Sequence, residues 1–81
     1  MGRNDGVEVR RQRIQATIQK VLSLLHINKD KGEIPLDKTI ADWEFETGLT
    51  EKRILEYLEI GEKRGLFVVD RRNNKIKRTE E

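Results

Sequence analysis

Apolar residues recur at helical spacing in the first third of the chain. Ile14, Ile18, Val21, Leu22 and Leu25 fall on one stripe, with Gln12, Gln15, Gln19 and Lys20 mostly opposite. The spacing predicts a first helix from Val9 or Arg10 to about Asn28. Leu24 and Ile27 widen its stripe, enough to meet more than one element or a second copy of the chain. Asn28-Lys29-Asp30-Lys31-Gly32 reads as its stop, with cations near the negative helix end and a glycine able to take positive φ. Glu33-Ile34-Pro35 is short and Pro-limited, the pattern of an edge strand able to pair with a later hairpin.

A second helix is expected from Leu36 or Asp37 to Thr47, placing Leu36, Ile40, Trp43 and Thr47 along one stripe. Asp37 suits the positive end of its dipole, while Glu44 and Glu46 oppose the negative end. Gly48-Leu49 makes a tight turn, and Thr50 is an N-cap whose hydroxyl can accept from the backbone of the following turn. A third helix then runs from Glu51 to Arg64, with Ile54, Tyr57, Leu58 and Gly61 inward and Lys52, Glu56, Glu59 and Lys63 outward. Gly61 costs about 1 kcal/mol relative to Ala at such a position, so close approach of another backbone or room for the Trp43 ring is expected there. Gly65 ends the helix. Leu66-Phe67-Val68-Val69 and Lys75–Thr79 have strand character, and Arg71-Arg72-Asn73-Asn74 forms the turn between them.

Composition narrows the possibilities. The chain has 81 residues, 35% hydrophobic and 40% charged, room for one small domain with a modest core. The expected organisation is a disordered leader over residues 1–8, a folded domain over 9–79 and a frayed end at 80–81. Without cysteine, and with His26 the sole histidine, neither disulfides nor a metal site are expected. No cofactor is implied. No phosphate-binding loop or catalytic constellation is present, so an enzyme is not expected. Nor is there a bilayer-length apolar run or a signal-peptide core, which makes a cytoplasmic, nucleoid-associated protein the default.

Net charge is +2, but unevenly spread. Residues 1–20 hold five basic and two acidic side chains, and residues 29–47 hold three basic and six acidic. Five further cations lie within Arg71–Arg78. Clustered rather than total charge sets the local potential, so binding a polyanion requires these basic segments to converge in space.

The segment IPLDKTIADWEFETGLTEKRILEYL, followed by EKRGLFVV and the basic loop RRNNKIKR, resembles the winged helix-turn-helix family of DNA-binding regulators over roughly Arg10 to Thr79. In length and charge the chain is similar to small archaeal regulators, including those of viruses and plasmids. The resemblance implies an α+β winged helix-turn-helix of three helices, a short strand and a two-stranded β wing. Its implied function is sequence-specific binding of double-stranded DNA in transcription regulation, by occlusion or recruitment at a promoter. Two features depart from the family pattern: Gly61 stands where a large aliphatic residue is common, and the recognition helix carries Glu51, Glu56 and Glu59.

In this reading Thr50, Glu51, Lys52, Arg53 and Glu56 reach base edges in the major groove, with Arg53 the first choice for guanine. Arg71, Arg72, Asn73, Asn74, Lys75, Lys77 and Arg78 form the wing that meets the backbone or minor groove. Arg10, Arg11 and Arg13 can add backbone contacts. The plainer alternatives are a solvated face of i,i+4 ion pairs, Lys52–Glu56 and Glu59–Lys63, and a strand edge guarded by charge. Phe45, Leu55 and Ile60 lie off the buried stripes and mark a partner surface. The competing functions are therefore a protein-interaction module and a nonspecific nucleic-acid binder, and the first helix admits a homodimer.

Overall fold

A computed structural model describes residues 5–27 and 31–79. Its element order is α1 (Asp5–Ile27), β1 (Glu33–Pro35), α2 (Leu36–Thr47), α3 (Glu51–Lys63), β2 (Phe67–Asp70) and β3 (Lys75–Arg78). The chain is thus an α+β domain of three helices and one antiparallel sheet. Most of the stop expected over residues 28–32 and the frayed end at 80–81 lie outside the described residues.

α1 begins at Asp5, four residues ahead of Val9 and within the stretch expected as a leader. Once a helix is nucleated, each further turn adds hydrogen bonds at little cost, so it can extend beyond its apolar stripe. Ile18, Val21 and Leu25 of α1 are buried, joined by Thr17, which the hydrophobic pattern did not single out. The Thr17 hydroxyl donates to the Arg13 carbonyl at 2.8 Å and accepts from Trp43 Nε1 at 2.8 Å, so its burial leaves no unmet polar group. Lys20 strengthens the same α1–α2 seam, with its Nζ 3.2 Å from Glu46 and 5.8 Å from the centre of the Trp43 ring.

α2 ends at Gly48, whose left-handed φ of 77° lets its N–H return to the Glu44 carbonyl at 2.8 Å. Leu36 and Ile40 are buried as expected, whereas Thr47 is exposed and bonds back to the Trp43 carbonyl at 2.6 Å. Thr50 caps α3, its Oγ1 accepting from the Arg53 N–H at 3.2 Å. Ile54, Tyr57, Leu58 and Gly61 form the buried face of α3, the same four residues its periodicity selects.

Gly61 is explained by Phe67 rather than by Trp43. A Cβ at position 61 would lie 2.7 Å from Phe67 Cε2 and closer still to Cζ, so the ring occupies the space a side chain would need. The α3–β2 connection closes with Gly65 N–H to the Glu62 carbonyl at 2.9 Å and Leu66 N–H to the Gly61 carbonyl at 3.1 Å, a reversal that returns Phe67 onto the helix.

The sheet order is β1-β3-β2, so the short strand pairs with the final one as its pattern suggested. The register sets Ile34 and Val69 on either side of Ile76, and it pairs Phe67 with Arg78. Strand alternation then sends Ile34, Phe67 and Ile76 into the core and Glu33, Lys75, Lys77 and Asp70 to the opposite face.

Candidate functional site

α3 presents a continuous outward stripe because its inward positions are fixed by Ile54, Tyr57, Leu58 and Gly61. Glu51, Lys52, Leu55, Glu56 and Glu59 lie at one-turn spacing on that stripe. Together with Arg71, from the start of the hairpin turn, they line an open hollow of about 330 Å³. The structure therefore brings the first residue of the basic turn against the exposed face of α3. Leu55 and Glu59 belong to this surface although neither was expected as a base-reading residue; their spacings of four and eight from Glu51 are the signal that could have placed them.

Arg53 does not line the hollow. Its guanidinium lies 3.7 Å from Glu56 Oε1, an exposed pair one turn apart that contributes at most a few tenths of a kcal/mol. Neither of the i,i+4 pairs of the plainer alternative, Lys52–Glu56 or Glu59–Lys63, forms; Glu56 pairs with Arg53 instead. The Thr50 hydroxyl is committed to capping.

The seven residues expected to act together in the hairpin are divided among four tasks. Arg71 and Arg72 are exposed at the turn and form no ion pair among the described residues. Lys75 and Lys77 are paired across the outer face of the sheet, to Glu33 at 3.1 Å and to Asp70 at 3.3 Å respectively. Arg78 sits at the far end of the hairpin, where its backbone N–H donates to the Gly32 carbonyl at 3.0 Å.

The two asparagines hold the turn in place. Asn73 donates from its backbone N–H and its side-chain amide to Asp70, at 3.2 and 2.8 Å. Asn74 takes the left-handed conformation, with φ 57°. Its carbonyl accepts from the Leu36 N–H at 3.0 Å and its Oδ1 accepts from the Asp37 N–H at 2.9 Å. Pro35 gives the start of α2 no side-chain cap, so the hairpin supplies one from 37 residues away in sequence.

These bonds lower two carboxylate pKa values. Asp37 is held below the ordinary aspartate value first by its hydrogen bond with the Asn74 side chain and then by the Lys38 N–H. Asp70 is lowered first by the Asn73 side chain, then by the Asn73 backbone and Lys77.

Of the three residues expected to mark a partner surface, Phe45 alone projects fully, at 91% exposed. Leu55 and Ile60 are half-buried and pack against the core. Among the described residues no cluster of His, Cys, Asp and Glu is placed to hold a metal ion, and no helix is long and apolar enough to cross a membrane.

Fold and surface together define a small α+β domain that sets one polar helix face beside a basic hairpin turn. No protein-family model, curated protein or solved structure matches the chain.

Proposed function

We propose that this chain is a winged-helix DNA-binding protein that regulates transcription, with α3 as the helix entering the major groove and the β2–β3 turn as the wing. The observation that carries the reading is the hollow shared by Arg71 and the exposed stripe of α3. A duplex laid over this face meets Lys52 within the hollow and Arg53 beside it at the amino end of the helix, while Arg71 and Arg72 meet its phosphates. Glu51 and Glu56 are repelled by phosphate, yet each can accept from the amino group of cytosine, which turns an electrostatic cost into base preference. Lys75 and Lys77 are already paired on the sheet, so Arg71 and Arg72 are the main source of backbone affinity.

Titrating salt against duplex binding, measured by fluorescence anisotropy, tests this reading. Affinity is expected to fall with a log–log slope of about −0.9 for each phosphate neutralised. Arg53→Ala is expected to flatten discrimination between sites by about 1–3 kcal/mol, and Arg72→Ala to weaken all sites alike. No association at low ionic strength, or identical behaviour of the two variants, overturns it. One observation favours a second reading, docking of a basic protein segment: three carboxylates and two cations surround the hollow. Tight peptide capture without duplex binding would select that alternative.

A further inference from the structure

We propose that the chain associates with itself head to tail, the Phe45 ring of one copy seating in a hollow on the far side of α1 in the next. Two features that DNA binding leaves unused meet in this contact. The first is Phe45 itself, 91% exposed on a helix whose surroundings are acidic. Asp42 lies one turn before it on the same face and is exposed, with no hydrogen-bond or ion-pair partner among the described residues.

The second feature is a pair of adjoining hollows, about 400 and 480 Å³, that share Leu22 and Leu66. Ile18 and Leu25 add apolar surface to a lining that also holds Gln15, Gln19 and His26, Arg64 stands at the margin, and among the described residues no carboxylate lines either hollow. Leu22 and Leu66 thus form an apolar seat beside the Arg64 cation. An aromatic ring beside a carboxylate is the complementary shape and charge. The exposed face of α2 carries both.

The ring cannot reach this seat within its own chain. Lys20 of α1 reaches α2 through Glu46, whereas Leu22 lies two residues on, about 200° around the helix. Knob and seat are therefore different patches on different sides of the molecule. Joining them across copies makes a heterologous contact, which propagates or closes into a ring. It differs from a two-fold pairing of α1 helices, in which each patch meets itself.

A contact centred on one aromatic side chain buries far less than a standard interface, so the association is weak and concentration-dependent. Sedimentation velocity of the whole chain from about 10 µM to about 1 mM covers the range expected of such a contact. The mean mass should rise across that range, and Phe45→Ala should weaken association at least about tenfold, the effect of truncating a central interface residue. Asp42→Arg and Arg64→Asp should each weaken it alone, and mixing these two variants should restore it, because every contact in the mixture can then pair opposite charges. All three sites are at the surface, and circular dichroism confirms that each variant is folded. A wild-type chain that stays monomeric, a Phe45→Ala variant that associates like wild type, or a mixture no better than its components overturns the proposal.

Discussion

Gly61 and Phe67 show how one missing side chain can organise a junction. Helix propensity alone favours Ala at position 61 by about 1 kcal/mol. The Phe67 ring, fully buried, occupies the space where the added methyl would fall. A buried ring cannot yield without disturbing the α3–β2 reversal, so overpacking should prevail over propensity. Gly61→Ala is expected to destabilise the domain by about 1–3 kcal/mol, read as a lowered denaturation midpoint in urea at unchanged slope. A rise in the midpoint would show that the ring has room to move. The inward position of Gly61 was legible from the helical wheel. Its partner was not, because Phe67 follows a chain reversal, and periodicity says nothing about where a side chain lands after one.

At the scale of elements, the helices whose ends carry explicit chemistry were read well. Gly48 and Thr50 delimit α2 and α3 because a left-handed glycine and a hydroxyl cap act through neighbours only a few residues away. The beginning of α1 was missed, since its first turns lie ahead of the apolar stripe that announced the helix. The cap of α2 was also invisible: Asn74 reads as a turn residue, and its second role depends on the sheet register that carries it to Leu36 and Asp37. Asn74→Gly keeps the left-handed backbone and the carbonyl acceptor while removing Oδ1, and should cost about 1 kcal/mol. Asn74→Ala keeps the Cβ in the left-handed region but loses the polar side chain that lets asparagine tolerate it, and should cost about 1–2 kcal/mol more than the glycine variant. Thermal unfolding should therefore rank wild type above the glycine variant and the glycine variant above alanine. Equal losses would leave the side-chain cap without energetic weight.

For the molecule as a whole, pairing across strands decides which charges remain available. Composition locates five cations between Arg71 and Arg78, but ion pairs running diagonally across the sheet join Lys75 to Glu33 and Lys77 to Asp70. That division was not legible, because charge counts along a sequence do not reveal partners brought in by neighbouring strands. The same interactions shape the response to acid. Asp37 and Asp70 have lowered pKa values in the folded state, so the unfolded chain binds more protons over the interval between folded and unfolded values. Their stabilisation is complete above the ordinary aspartate value of about 4 and is lost as pH falls through the lowered values. The double variant Asp37→Asn, Asp70→Asn should show a shallower loss of stability below about pH 4 in acid titration followed by circular dichroism. Matching slopes would remove these two groups from the acid response.

The Glu62 carboxylate accepts from the Val69 N–H at 3.2 Å, so a side chain of α3 occupies a bonding position on the outer border of β2. On the opposite border, β1 is only three residues long and ends in Pro35, which has no N–H to offer. Each margin thus offers crowded copies fewer bonding groups on which to zip strand to strand, which works against fibrous growth.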